Sequence, residues 1–235
     1  MNTNAKVYLI PSFIQEDAPQ TLPAYIIDAV KECQSFFVEN ERSARRYLKT
    51  IWKEIVIDQY EWFSIHENEG KLKNEFIGQL KKGKIIGIIS EAGCPGVADP
   101  GQILVAAAQE SGFPVHPLVG PSSILLSLMA SGMNGQQFQF VGYLPIDHTQ
   151  RIKKIRELEN ESGKKKCTQI FIETPYRNNQ LVDAIIGTCK PETRLCIAVD
   201  ITGKEENIRT KTITNWKKQI PDINKKPAIF LLQAQ

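Results

Sequence analysis

The feature that most constrains the fold is a nearly continuous apolar run, Lys84–Ser90, which leads directly into a loop of small residues, Glu91–Gly101. The four isoleucines of this run predict a strand that is buried on both faces of a parallel sheet. Asp99 before Pro100 predicts that a helix begins there with Asp99 as its N-cap, and Gly112 predicts where that helix ends. In open α/β sheets ligands bind beyond the carboxyl ends of the strands, where this loop lies. A tight connection without a ligand, in which Asp99 only caps the helix, is the alternative.

Strand and helix patterns alternate along the whole chain, which predicts the α/β class. The loop and prolines between Phe113 and Gly120 suggest a boundary between two α/β domains, 1–116 and 117–235. The predicted strands are Val7–Ile10, Lys84–Ser90, Gln169–Glu173, Leu195–Asp200 and Ala228–Leu232. The predicted helices are Leu22–Cys33, Ser43–Lys53, Gly70–Lys82, Pro100–Ser111, Pro121–Ala130, Ile152–Glu161 and Asn178–Thr188.

Composition is that of an ordinary folded protein, with 42% hydrophobic and 23% charged residues, and it excludes disorder of the whole chain. A formal charge of +3 is too small to demonstrate a nucleic-acid partner. The five cysteines form no C-x-x-C pair and have no zinc-ligand spacing, which favours a reducing compartment and no metal site. Neither a signal peptide nor a spanning apolar run is visible, so we expect a cytoplasmic protein without a membrane partner.

Five segments carry a resemblance to a known family. Ser90–Gly101 resembles the S-D-A-G-T-P-x-x-S-D-P-G motif of the ribosomal small-subunit RNA (cytidine-2′-O) methyltransferase family, within the tetrapyrrole-methylase superfamily. Gly112–Ser123 is similar to its G-I-x-V-x-P-L-P-G-P-(C/S)-A, and Phe138–Pro145 to its F-x-F-x-G-F-L-P. Phe171–Arg177 resembles F-Y-E-(S/A)-P-x-R, and Glu39–Arg42 resembles E-D-T-R.

The resemblance implies a methyltransferase that uses S-adenosylmethionine (SAM) in a cleft between two α/β domains. It also implies RNA of the small ribosomal subunit as the methyl acceptor, and a homodimer. Main-chain groups supply most contacts with SAM in this superfamily. The implied cofactor-binding residues are Pro11, Ala92, Gly93, Cys94, Val97, Ser122, Ser123, Glu173 and Ala228.

Several motifs depart from the family pattern. Pro11–Gln15 stands where the family has P-I-G-N-L, Glu91 replaces an aspartate, and Cys94 replaces a threonine. Ile201–Glu206 differs from L-T-K-x-x-E, and the Lys226–Phe230 ending is closer to the small-molecule tetrapyrrole methylases. Two alternatives therefore stay open: a methyltransferase for a tetrapyrrole or other small acceptor, and a non-catalytic homologue that binds SAM or RNA.

A ribose 2′-hydroxyl is a weak nucleophile at neutral pH, so its methylation benefits from a nearby proton acceptor. Glu91 and Glu173 are the candidate catalytic carboxylates. Glu91 alternatively braces the loop, and Glu173 alternatively pairs with Arg177 four residues later. Arg177 and His66 are candidate substrate-binding residues, while Cys94 lacks a partner base and is not expected to act as a nucleophile.

The most conspicuous cluster of basic residues lies in the segment Arg151–Lys166, and a smaller one includes Arg42, Arg45 and Arg46. The first cluster predicts either contacts with RNA phosphates or simply the solvated face of a helix. Its members are Arg151, Lys153, Lys154, Arg156, Lys164, Lys165 and Lys166.

Overall fold

A computed structural model describes residues 4–65 and 69–235 of the chain. The chain divides into two compact units, Met1–Ser122 and Ser123–Gln235. This boundary lies six residues beyond the expected one at 116/117. The reason is that the strand Val115–Pro117 pairs with the first strand of unit 1, and Leu118 N continues this pairing by donating to Leu9 O at 3.0 Å.

Unit 1 contains a parallel five-stranded sheet in the order β3-β2-β4-β1-β5. Helices cover both faces. One apolar cluster joins the sheet to α1 and α2, and another joins it to α3 and α4. Burial on both faces explains why β4 is an almost uninterrupted run of isoleucine. The elements are β1 Lys6–Ile10, α1 Ile26–Glu32, β2 Ser35–Val38, α2 Glu41–Ile51, β3 Glu61–Ser64, α3 Glu69–Lys81, β4 Ile85–Ile89, α4 Gln102–Glu110 and β5 Val115–Pro117.

Unit 2 contains a mixed five-stranded sheet in the order β6-β7-β10-β8-β9, in which only β6 and β7 run parallel. The long helices α6 and α7, with α8, cover one face, and α5 covers the other. The elements are α5 Ser123–Ser131, β6 Phe138–Tyr143, α6 His148–Lys165, β7 Thr168–Ile172, α7 Asn178–Thr188, β8 Arg194–Val199, β9 Asn207–Thr212, α8 Ile213–Lys218 and β10 Ala228–Gln233.

The predicted α/β class is confirmed, and each predicted strand and helix is present, with shifted ends in every case except Asn178–Thr188. The helix predicted to begin at Pro100 begins at Gln102, with Gly101 as its N-cap. The interpretation of Asp99 as the N-cap was therefore wrong. Asp99 Oδ1 instead accepts from Gly101 N at 2.6 Å, so the carboxylate closes a turn before the helix.

Candidate functional site

The order of strands in unit 1 locates a ligand crevice. From β1 the chain crosses past β4 to reach β2, whereas from β4 it crosses past β1 to reach β5. The two connections leave in opposite directions, so the crevice of this sheet lies at the carboxyl ends of β1 and β4. The residues that follow these strands are Pro11–Ser12 and the predicted loop Ser90–Gly101.

The loops after β1 and β4 are held together by main-chain hydrogen bonds. Ser12 N donates to Gly93 O at 2.9 Å, and Gly93 N donates to Ser12 O at 3.2 Å. The hydroxyl of Ser12 donates to Ser90 O at 2.9 Å, and the hydroxyl of Ser90 donates to Gly93 O at 2.9 Å. The positive φ of Gly93, 76°, belongs to the region that favours glycine, and a Cβ there would lie 3.1 Å from Pro121 O. These contacts fix the path of the loop.

A third loop, between β5 and Ser122, closes against the other two. A Cβ on Gly120 would lie 2.1 Å from Cβ and 2.4 Å from Cγ of Pro11, so only glycine fits at this position. Cys94 Sγ lies 3.7 Å from Gly120 O and 3.5 Å from Pro121 O. On the other side, the buried hydroxyl of Tyr47 donates to Pro11 O at 2.6 Å. Six of the predicted cofactor-binding residues belong to these three loops: Pro11, Ala92, Gly93, Cys94, Val97 and Ser122.

A group of carboxylates lies beside these loops. Glu39 directly follows β2, and its Oε1 accepts from Glu91 N at 3.2 Å. The exposed Glu91 accepts from the hydroxyl of Ser43 at 3.2 Å. Burial raises the pKa of Glu39, and the charges of Asp99 and Glu91 raise it further, while the hydrogen bond from Glu91 N opposes them. Glu91 therefore braces the loop, which is one of the two roles predicted for it from the sequence. Its carboxylate is nevertheless exposed.

A pocket of about 80 Å³ opens beside this group of carboxylates. Ser12, Glu39, Ser43, Tyr47 and Glu91 contribute to its wall. Polar side chains from three strand ends and one helix therefore surround one small cavity of unit 1. No role was predicted from the sequence for Ser12, Glu39 or Tyr47, although the position of Glu39 immediately after the apolar run Phe36–Val38 could have identified it.

In unit 2 the predicted residue Glu173 follows β7, with its side chain fully buried. Its Oε1 accepts from Thr174 N at 2.7 Å, from Arg177 Nη2 at 2.6 Å and from Arg177 Nε at 3.1 Å. Its Oε2 is buried and has no hydrogen-bond partner among the described residues. The hydrogen bond with Glu173 raises the pKa of Arg177. The predicted ion pair is present, and it commits one oxygen of Glu173 to holding Arg177.

The remaining predicted residues lie as follows. Val97 is exposed, and Ser122 ends unit 1. Ser123 begins α5, and Ala228 begins β10. The predicted substrate-binding residue His66 lies outside the described residues.

Across residues 4–65 and 69–235, no three His, Cys, Asp or Glu side chains are arranged to hold a metal ion. None of the helices in that part of the chain is both long and apolar enough to cross a bilayer. All five cysteines are free thiols. Cys94, the one in the candidate site, has its pKa raised by burial, which disfavours the nucleophilic thiolate.

Comparison with solved structures defines the fold as that of tetrapyrrole methylases. The methyltransferase CobJ matches with a TM-score of 0.65 at 14% identity, over 98% of this chain and 94% of its own. Uroporphyrin-III C-methyl transferase from Thermus thermophilus, complexed with S-adenosyl homocysteine, matches with a TM-score of 0.56 at 14% identity, over 97% of both chains. No model of a known protein family matches the chain.

Curated proteins show the family. Ribosomal RNA small subunit methyltransferase I of Buchnera aphidicola is 31% identical over 238 residues, which cover 99% of this chain and 79% of the relative. The protein of the same name from Mesorhizobium japonicum is 35% identical over 149 residues, 63% of this chain but only 49% of the relative. The chain belongs to the ribosomal RNA small subunit methyltransferase I family, and its alignment with the Mesorhizobium relative spans about half of that protein.

Proposed function

We propose that this chain is a SAM-dependent methyltransferase that methylates a ribose 2′-hydroxyl of small-subunit ribosomal RNA. The observation that carries the proposal is the set of three loops at the carboxyl ends of β1, β4 and β5. Gly93 is restricted there by its positive φ, and Gly120 by its contact with Pro11. Side chains are thereby kept out of a region in which main-chain groups contact one another closely.

The residues present fit SAM as the bound group. Gly93 supplies a cradle that a Cβ would narrow, and the neighbouring Ala92 and Val97 are exposed beside it. When bound, SAM supplies an activated methyl group for in-line displacement by a nucleophile. The chain's own contribution is rigid positioning, which in well-oriented reactions lowers a barrier by several kcal/mol, about 7–11 at most. The hydrogen bonds between Ser12, Ser90 and Gly93 provide that rigidity.

The carboxylates divide into two roles in this proposal. Glu91 is the proton acceptor for the ribose hydroxyl, because its carboxylate is exposed and is held by Ser43. Glu173 stays a proposed cofactor contact and orients Arg177 toward substrate, since its Oε1 is already committed to that guanidinium. Ser123 and Ala228 remain proposed cofactor contacts, and His66 a proposed substrate contact.

The choice of RNA as acceptor rests on the curated relatives, which are named as methyltransferases of small-subunit ribosomal RNA. The solved tetrapyrrole methylases are only 14% identical, so they support the fold and not the acceptor. Five free thiols suit a reducing cytoplasm, where we place the protein.

We also propose a homodimer. The side chains Leu125 and Met129, one turn apart on α5, are 50% and 77% exposed, and exposed apolar neighbours favour a protein interface. Light scattering at micromolar concentration is expected to give twice the mass of 26.5 kDa. A single-chain mass under those conditions would contradict the dimer.

Calorimetry with S-adenosylhomocysteine tests cofactor binding. The parent is expected to bind one ligand per chain, and Gly93→Val is expected to abolish binding because the branched side chain meets Pro121 O and requires a strained φ. Gly78→Val is the matched control, since nothing lies within 4 Å of a Cβ at Gly78. Absence of binding by the folded parent at millimolar ligand would contradict the proposal.

A further inference from the structure

A surface groove of about 790 Å³ lies in unit 2, with walls from α6 and α7. Its lining includes His148, Arg151 and Arg156 from α6, and Gln180, Asp183 and Thr188 from α7. All of these residues belong to unit 2 and lie far along the chain from the three loops of the candidate cofactor site. None of the residues proposed to contact the cofactor or to act in catalysis lines the groove, so its chemistry requires a separate explanation.

Arg151 is the most unusual residue of this groove because it is only 5% exposed. Its Nη1 donates to Ile146 O at 3.2 Å, whereas its buried Nε has no hydrogen-bond partner among the described residues. No carboxylate of the described chain forms an ion pair with it. A buried guanidinium without a counter-charge is destabilising, and an unsatisfied buried donor is rare in native proteins. The missing counter-charge is supplied if an anion with several acceptor oxygens occupies the groove, whose wall includes Arg151.

The second arginine of the groove is also without an ion pair. Arg156 is exposed one and a half turns along α6 from Arg151, and no described carboxylate pairs with it. Asp183 is the one carboxylate in the lining, and it forms no ion pair with either arginine. Gln180 and Thr188 add neutral donors to the wall. Two guanidinium groups with neutral donors are suited to binding a phosphate, which arginine recognises through paired N–H donors.

The basic segment Arg151–Lys166 therefore consists of two different parts. Lys154 pairs with Glu157 at 3.9 Å, and Lys165 pairs with Glu161 at 2.6 Å, so these lysines are neutralised on the helix surface. Lys164 is exposed and lies outside the groove lining. Arg151 and Arg156 are the arginines of the groove without an ion pair, and the exposed Lys153, also without one among the described residues, lines a neighbouring cavity of α6 with Arg156.

We propose that the groove between α6 and α7 binds a phosphate group, namely a phosphodiester of the RNA substrate. The inference rests on the proposed function for its choice of RNA, whereas the phosphate chemistry rests on the groove alone. The site holds the RNA backbone through its two arginines and neutral donors, and contacts of this kind position a nucleic acid without reading its sequence.

The test is the salt dependence of RNA binding by the full chain, measured by filter binding on small-subunit ribosomal RNA. Arg156→Gln is expected to weaken binding about fivefold to tenfold at 0.1 M salt and to reduce the slope of log K against log salt by about 0.7–0.9, the value of one phosphate contact. Lys164→Gln, an equal loss of charge on the same helix, is expected to leave both quantities unchanged. Equal behaviour of the two variants, whether both match the parent or both flatten the slope, would overturn the proposal.

Arg151→Met provides a second arm, read together with a melting curve. Arg151→Met is expected to reduce the slope of log K against log salt by the same amount as Arg156→Gln. Its Tm is expected to stay at or above that of the parent, because an uncompensated buried charge has been removed. Titration with inorganic phosphate distinguishes a site for free phosphate from a site for RNA phosphate. If phosphate binds at millimolar concentration and requires Arg156, while Arg156→Gln leaves RNA binding unchanged, RNA is not the ligand. All three variants are expected to keep the S-adenosylhomocysteine affinity of the parent. A failure of the proposed activity would instead appear in cofactor binding or in methyl transfer, so the two proposals can fail independently.

Discussion

Gly120→Ala tests the close packing of the loop after β5 against Pro11, which follows β1. The added Cβ would lie 2.1 Å from Cβ and 2.4 Å from Cγ of Pro11, against a normal carbon–carbon contact of about 3.5–4.0 Å. Neither loop is free to yield, because Tyr47 holds Pro11 O and Leu118 N donates to Leu9 O. Overpacking typically costs about 1–3 kcal/mol, and the rigid proline ring places this change at the upper end, about 3 kcal/mol.

For a chain of this size about 3 kcal/mol lowers Tm by roughly 6–12 °C, measurable by calorimetry. The displaced loops are expected to weaken S-adenosylhomocysteine binding about tenfold or more, since 1.4 kcal/mol of lost binding free energy is a factor of ten. Gly78→Ala is the matched control in α3, where no atom lies within 4 Å of the new Cβ, and it is expected to gain about 0.5–1 kcal/mol. If the two variants melt and bind alike, the three loops are not packed as described.

Two further predictions concern charged groups. Arg177→Met is expected to destabilise the protein in urea unfolding more than Glu173→Gln does, because it leaves the fully buried carboxylate of Glu173 without its partner, and the reverse order would refute the pairing. Because the folded-state pKa of Glu39 is raised, its contribution to stability is present at low pH and is lost as pH rises through that pKa. Glu39→Gln is therefore expected to be more stable than the parent at pH 7 and to lose this advantage on acidification, and a constant difference from pH 4 to 8 would contradict the assignment.

The sequence predicted those elements whose local pattern is strong. The apolar run of β4 and the periodic helix α7, Asn178–Thr188, were both found, the latter with its bounds unchanged. The short strand Ser35–Val38 and the edge strand Asn207–Thr212 were missed, as were Glu61–Ser64, Val115–Pro117 and Phe138–Tyr143. Three consecutive apolar residues in Ser35–Val38 do not distinguish a strand from a helix, and the edge strand has a single apolar residue, Ile208.

The candidate site was predictable only where it consists of one continuous segment. The loop containing Gly93 was identified because its small residues follow a buried strand. Glu39 was not assigned a role, because its position beside Glu91 depends on the pairing of β2 with β4, whose residues are about fifty positions apart in sequence. The contact of Gly120 with Pro11 likewise joins segments that only the folded sheet brings together. Long-range pairing of this kind leaves no local pattern in the sequence.

Transfer of tritiated methyl groups from SAM to small ribosomal subunits tests the central claim most directly. We predict that the parent labels the RNA, that Gly93→Val does not, and that Gly78→Val does. The label is also expected to remain in linkages resistant to alkali, because a 2′-O-methyl group removes the hydroxyl required for alkaline cleavage. A folded parent that binds S-adenosylhomocysteine but leaves the RNA unlabelled, or labels it only at alkali-sensitive linkages, would contradict ribose methylation as the function of this chain.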